Sequence, residues 1–182
     1  MFFRSRRKHE KEAAARLYGA CLQASRRPGL FVRFEVADTL EGRFEMLTLH
    51  LFAVIHRLMH VPGDDRELAR LLSETFVDDM DAALRETGVS DVAVPRRMKK
   101  LYRSFAGRVS AYKGALEGGD GALAAAIARN VYPDQKGRAA EELAGYVRAA
   151  VEAVRAADLD ALRQGAPPFP PAPHPGTMEV TA

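Results

Sequence analysis

The sequence contains one cysteine, Cys21, and no tryptophan. A single cysteine cannot form an internal disulfide, which excludes the small secreted domains that depend on a disulfide framework. Long apolar runs are also absent: the most apolar window, from Met46 to Ile55, is much shorter than the ~20 residues that a membrane-spanning helix needs. The basic N-terminus lacks an apolar stretch of signal-peptide length. We therefore expect an unprocessed, cytoplasmic chain without a transmembrane helix.

Helix-forming residues dominate what is present. Alanine, leucine and arginine are abundant, and hydrophobic residues make up 47% of the 182 positions. This is enough for one medium-sized domain with its own core. We predict an all-α fold, a single compact domain of about six helices. Residues 1–8 are expected to form a basic N-terminal segment, residues 9–163 the helical domain, and residues 164–182 a disordered proline-rich tail.

The central helix is predicted from a capping signal followed by a periodic apolar face. Asp38 fits the N-cap position, and Glu41, three residues later, completes a capping box. Apolar residues then recur three or four positions apart until the sequence VPGD, residues 61–64, ends the helix. The apolar face comprises Phe44, Leu47, Leu51, Val54, Ile55 and Leu58.

The remaining helices follow from similar signals. A helix that begins at Asp64 is expected to stop at Gly88, and Pro95 fits the first turn of the next helix. That helix has Met98, Leu101, Tyr102 and Phe105 on its apolar face. Residues 29–37 have the only extended pattern, and one such segment cannot form a sheet alone. Three more helices are predicted at residues 9–24, about 121–129 and about 134–156.

The charges are strongly segregated along the chain, although the net charge is only +3. The N-terminal 27 residues and residues 95–113 are basic, whereas residues 64–91 are acidic. Such segments are often solvated faces or face each other in the fold. The alternative is a basic surface for an anionic partner, either lipid headgroups or nucleic acid.

No set of residues predicts catalysis or a cofactor. His56 and His60 have a metal-chelating i, i+4 spacing, but no third ligand is evident, and we expect no metal site. His50, inside the apolar helix, is expected to be buried and hydrogen-bonded. Cys21 lies on the apolar side of the first helix and is interpreted as a core residue. We find no phosphate loop, dinucleotide fingerprint or nucleophile elbow, and we predict that the protein is not an enzyme.

Two charged clusters are candidates for contacts with a partner. The acidic cluster contains Asp78, Asp79 and Asp81; it lacks the second acidic motif of a magnesium site, and we expect it to form a surface charge network with Arg85. The basic cluster lies on the helix after Pro95. An RNA- or ribosome-associated binding module that uses the basic helix 95–113 is one functional hypothesis. The basic cluster consists of Arg96, Arg97, Lys99, Lys100 and Arg103.

Several motifs resemble the ubiquinol–cytochrome c chaperone family, the bacterial relatives of a mitochondrial assembly factor for the cytochrome bc1 complex. The resemblance runs in order from about Tyr18 to Tyr132. Its most specific parts are DTLEGRFEMLTLH, residues 38–50, and DMDAALRETGVSDVAVPRRMKK, residues 79–100. The chain is similar to the family over most of the predicted folded region.

The resemblance implies an all-α, non-enzymatic assembly chaperone with newly made cytochrome b as its client and no small-molecule substrate. Mitochondrial members work with a small partner protein, and the family has no established catalytic residues. A chaperone for a membrane subunit would act at the cytoplasmic membrane face, peripheral to the inner membrane. There a basic surface suits anionic headgroups, whereas the Lys/Arg-rich cytoplasmic loops of a membrane protein suit an acidic surface. We therefore treat both charged clusters as candidates for client contact.

Overall fold

A computed structural model describes residues 2–60, 65–119, 121–133 and 139–172. These residues form helices and connecting segments and contain no strand, so the predicted all-α fold is confirmed. The helices number eight among the described residues, two more than expected. They are α1 (Phe2–Ser25), α2 (Pro28–Arg33), α3 (Leu40–Met59), α4 (Asp65–Glu86), α5 (Val94–Glu117), α6 (Ala122–Val131), α7 (Ala139–Ala156) and α8 (Leu159–Arg163).

Helix α3 lies at the centre of the fold and packs against α1, α4, α5 and α7. It separates two groups of buried side chains. On one side Leu51 and Leu58 pack with residues of α1 and α4, including Phe76. On the other side Leu49 and Phe52 pack with residues of α2, α6 and α7. The expected core role of α3 is confirmed, because both of its sides are covered.

The N-terminal cap of α3 lies one residue later than predicted. Thr39 is the N-cap, and its hydroxyl accepts a hydrogen bond from the Gly42 N–H at 3.2 Å. Asp38 instead receives two hydrogen bonds from the Arg43 guanidinium, at 2.6 and 3.2 Å, and does not cap the helix. Gly42 is required here, because a Cβ atom would lie 1.9 Å from the Ala37 carbonyl oxygen. The predicted capping box is therefore wrong, since a threonine next to the aspartate fills the same role.

Two N-terminal elements differ from the expectation. Residues 2–8 continue α1 as regular helix and do not form a separate segment. The stretch expected to be extended contains α2, which begins at Pro28 and buries Leu30 and Phe31. Proline suits the first turn of a helix, because its fixed φ is helical and no helical hydrogen bond is lost there. Short helices of this kind lack the repeated apolar spacing on which a sequence-based prediction depends.

Helix boundaries agree with the prediction at several points. Helix α4 ends at Glu86, and Gly88 follows in a left-handed conformation with φ of +78°, as the predicted stop requires. The helix predicted at about 134–156 is present as α7, and its apolar face is buried. Asp64 and residues 134–138, where two helices were expected to begin, lie outside the described residues.

The first part of the proline-rich segment packs against the domain. The Phe169 side chain contacts both groups of buried residues, and its ring meets the His50 ring edge-on at 4.8 Å. The Arg27 guanidinium donates a hydrogen bond to the Pro170 carbonyl at 3.0 Å. Residues 166–172 lack helix, as expected, but they differ from the mobile tail that composition suggested. Residues 173–182 lie outside the described part of the chain.

Candidate functional site

The outer half of the α4–α5 helical hairpin, residues 77–104, has few buried side chains. Between Phe76 on α4 and Phe105 on α5, Val94 is the only fully buried residue. Before Phe76 and after Phe105 the two helices pack on the core. The Phe76 and Phe105 rings contact each other, with their centroids 4.5 Å apart. Both charged clusters predicted from the sequence lie on this outer half, and they form the candidate functional site.

The basic patch lies on the first three turns of α5 and consists of Arg96, Arg97, Lys99, Lys100 and Arg103. All five side chains are exposed. None of them forms an ion pair or side-chain hydrogen bond with another described residue. The first turn of α5 contains no acidic residue either. No described carboxylate therefore offsets the positive charge of the patch.

The acidic patch lies on the last turns of α4 and consists of Asp78, Asp79 and Asp81 with Arg85. Asp78 is exposed. The Tyr18 hydroxyl on α1 donates a 2.6 Å hydrogen bond to Asp79. Burial, together with this aspartate, raises the Tyr18 pKa. Asp78 is therefore the most accessible carboxylate of the patch, whereas Asp79 is held by Tyr18.

Arg85 forms the predicted charge network, with one addition. Its Nε donates to Asp81 Oδ2 at 2.7 Å, which confirms the i, i+4 pair. Its Nη1 also donates to Asp91 Oδ1 at 2.5 Å, beyond the turn that follows α4. Sequence reasoning missed Asp91, because the bend at Gly88 brings the two residues together. Among the described residues no ion pair joins the acidic segment to the basic segment, since both partners of Arg85 lie within the acidic segment.

Arg108 anchors α5 to the core below the basic patch. Its Nε lies 2.8 Å from Glu45 Oε1 and 2.7 Å from Oε2, and it bonds Ser104 as well. Its guanidinium also lies over the Phe44 ring, 5.4 Å from the centroid. Burial raises the Glu45 pKa, and the charge of Arg108 opposes that effect. The sequence did not predict the Glu45–Arg108 pair, because Arg108 belongs to a segment that is basic throughout. Its position three residues after the buried Phe105 places it on the side of α5 that faces the core.

The other candidate residues have structural surroundings. The His50 Nδ1–H donates to the Met46 carbonyl at 2.8 Å, and Nε2 accepts from the Tyr146 hydroxyl at 2.9 Å. Burial lowers the pKa of His50 to about 4. This confirms the prediction of a buried, hydrogen-bonded histidine. Cys21 is fully buried, as predicted, and burial raises the pKa of its thiol, which disfavours the reactive thiolate.

His56 and His60 lie side by side at the C-terminal end of α3. Their Nε2 atoms are 3.1 Å apart, and burial lowers the pKa of His56. Among the described residues, no group of three or more histidine, cysteine, aspartate or glutamate side chains is placed to hold a metal ion.

Comparison with known proteins places this fold in a family. The family described as "Ubiquinol-cytochrome C chaperone" matches residues 32–169, which is most of the chain. This chain belongs to the ubiquinol-cytochrome C chaperone family. The resemblance found in the sequence is thereby confirmed. In the described part of this family member, no helix is both long and apolar enough to cross a membrane.

Relatives of known name and structure agree with this assignment. The chain is 25% identical over 144 residues to ubiquinol-cytochrome-c reductase complex assembly factor 1 of Xenopus laevis, covering 78% of this chain and 72% of that protein. It is 24% identical over 140 residues to the factor of the same name in Mus musculus, covering 76% of this chain but 48% of the mouse protein. The chain thus spans about half the length of that relative.

A solved structure is similar over nearly the whole chain. It is described as the crystal structure of the Cbp3 homolog from Brucella abortus, with 38% identity and a TM-score of 0.82. The match covers 94% of this chain and 96% of the other. That structure therefore has the same fold as the bundle described above over nearly the whole chain.

Proposed function

We propose that this protein is a non-enzymatic chaperone that assists assembly of the cytochrome bc1 complex, with newly made cytochrome b as its client, at the cytoplasmic face of the membrane. The observation that carries the proposal is the family match over residues 32–169. The relatives named above are called assembly factors of the ubiquinol–cytochrome c reductase complex. Such a factor binds a client without transforming it, which agrees with a candidate site built from charged surfaces.

The acidic patch suits the client's loops. Loops of a membrane protein on the cytoplasmic side are rich in lysine and arginine. Asp78 is exposed, and Asp79 and Asp81 are half-buried beside it. Opposite charge on two surfaces speeds their encounter and favours the correct orientation. We therefore place the first contact with cytochrome b loops on this face of α4.

The line along which α4 and α5 meet in the outer half of the hairpin suits apolar client segments. Val77, Met80, Leu84, Met98 and Leu101 are half-buried along it, and each keeps part of its surface exposed although Val77, Met80 and Leu101 also pack against the core group that contains Phe76. Methionine side chains are flexible and polarisable, so they adapt to differently shaped apolar partners. A chaperone that holds an unassembled membrane subunit needs such adaptable apolar surface beside its charged surface.

Site-specific photocrosslinking tests the proposal. A photoreactive amino acid is placed at Asp78, at Met98 or, as a control, at Arg155, which is exposed on α7. After irradiation of cells, tagged protein is purified from solubilised membranes and its adducts are identified by mass spectrometry. We expect cytochrome b adducts from positions 78 and 98 and none from position 155. Adducts to ribosomal proteins without cytochrome b, or no bc1 subunit from any position, would contradict the proposed client.

A further inference from the structure

The charge of the basic patch is unfavourable for the fold itself. Arg96, Lys100 and Arg103 follow one another at spacings of four and three, so like charges are neighbours on one face. They also lie near the N-terminal end of α5, where the helix dipole is positive and favours anions. No described carboxylate pairs with them. Cations in this position are stabilised when an external anionic surface is bound.

Large apolar side chains are exposed beside these cations. Val92, two residues before α5, is 92% exposed, and Tyr102, one turn after Lys99, is 52% exposed. Tyrosine is enriched at membrane–water interfaces, where its ring lies among the headgroups and its hydroxyl stays hydrated. Exposed apolar groups flanked by lysine and arginine are typical of surfaces that bind anionic bilayers.

We propose that the N-terminal end of α5 docks on an anionic phospholipid bilayer, with the basic patch on the headgroups and Val92 and Tyr102 in the interface. The inference rests on the proposed function in one respect, since an assembly factor for a membrane complex works beside a bilayer. The two charged faces then have different partners: the basic patch contacts lipid, and the acidic patch contacts the client. Val92 favours lipid over RNA, because its aliphatic side chain has no flat face for a base to stack on, whereas the Tyr102 ring suits either partner.

Vesicle binding of the purified full-length protein tests the docking. Vesicles of phosphatidylcholine alone are compared with vesicles that contain about 30% phosphatidylglycerol, at low and high salt. We expect binding to the anionic vesicles that is weakened by salt. Replacing Arg96, Arg97, Lys99 and Lys100 with glutamine should lower the partition coefficient up to about a thousandfold. The matched control replaces four exposed cations elsewhere, Arg66, Lys113, Arg129 and Arg155, with glutamine and should retain most of the binding.

Fluorescence shows which surface enters the interface. The chain has no tryptophan, so a substitution such as Val92→Trp or Tyr102→Trp introduces a single reporter without altering the patch. Met59→Trp is the control, because Met59 is also exposed (54%) but lies at the opposite end of α3 from the Glu45–Arg108 anchor. With anionic vesicles, we expect a blue shift and quenching by brominated lipid at positions 92 and 102, and no change at position 59.

Several results would overturn the docking surface. These are equal loss of binding in both charge variants, equal shifts at all three reporters, or salt-insensitive binding to neutral vesicles. Binding to single-stranded RNA with no binding to anionic vesicles would also overturn it in favour of a nucleic-acid partner. The measurements use pure protein and lipid, so their failure leaves the effect on bc1 assembly in cells as a separate question.

Discussion

Arg108 on α5 and Glu45 on α3 form an ion pair at the point where the hairpin meets the core, with Nε–O distances of 2.8 and 2.7 Å. The side chains are 19% and 7% exposed, so both charges are largely removed from water. Beyond this anchor, α5 extends through the basic patch with Val94 as its only fully buried residue before Phe105. The position of the pair therefore determines which half of α5 is left free to bind.

Breaking this pair on one side should destabilise the protein strongly. Arg108→Met leaves the Glu45 carboxylate buried without a partner, and we expect a loss of about 3 kcal/mol in the free energy of unfolding. Chemical denaturation measures it. The double variant Arg108→Met with Glu45→Leu removes both charges and should recover most of the loss. A double variant as unstable as the single one would show that packing, and not the buried charge, determines the cost.

Neutralising the basic patch should stabilise the folded chain. Glutamine at Arg96, Arg97, Lys99 and Lys100 removes like-charge repulsion at the positive end of α5, with a gain of about 1–2 kcal/mol at low salt. Glutamine has a helix propensity close to that of lysine and arginine, so the gain reports charge. Thermal unfolding at two salt concentrations checks this, and the gain should shrink at high salt. A less stable variant would mean that these cations are paired within the fold.

The buried histidine makes stability depend on pH. Folding lowers the His50 pKa from 6.5 to about 4, mainly through burial. Below pH 6.5 His50 binds a proton in the unfolded chain but not in the folded chain. The free energy of unfolding therefore has its full value above pH 6.5 and decreases as the pH falls to about 4. The full effect is on the order of 3 kcal/mol. The free energy of unfolding of the wild type should fall by about this amount more than that of His50→Gln between pH 7 and pH 4. Parallel curves would contradict the assignment.

The packed proline-rich segment contributes to stability. Phe169→Ala removes a ring that contacts both groups of core residues and the His50 ring, at a cost of about 2 kcal/mol. Pro168→Ala is the matched control, since Pro168 is exposed and next in sequence. Hydrogen exchange of the segment should also increase in the Phe169 variant. Equal stability of both variants would show that the segment packs without holding the domain together.

Elements with repeated apolar spacing could be predicted from the sequence. Helices α3 and α7 carry such faces over four or more turns, and local spacing also predicted the Asp81–Arg85 pair and the burial of His50 and Cys21. The resemblance supplied the family, which composition and periodicity alone do not give.

Features that depend on distant residues could not be predicted. The Tyr18–Asp79 and Glu45–Arg108 contacts join residues about 60 positions apart, and no local pattern marks them. Phe169 was assigned to a disordered tail, because proline-rich composition does not indicate which single aromatic side chain will pack against the domain. The sequence placed Tyr102 on the apolar face of α5, but its side chain is 52% exposed. The reason is that the first turns of α5, before Phe105, are not covered by the core.

The amount of assembled bc1 complex in cells that lack this protein tests the proposed function most directly. Native gels and ubiquinol–cytochrome c reductase activity of isolated membranes measure it, with immunoblots for cytochrome b and for an unrelated respiratory complex as the control. We expect the bc1 complex and cytochrome b to fall together, the unrelated complex to remain, and the wild-type gene to restore both. Normal bc1 content and activity in the deletion strain would contradict the proposal that this chain is an assembly chaperone for that complex.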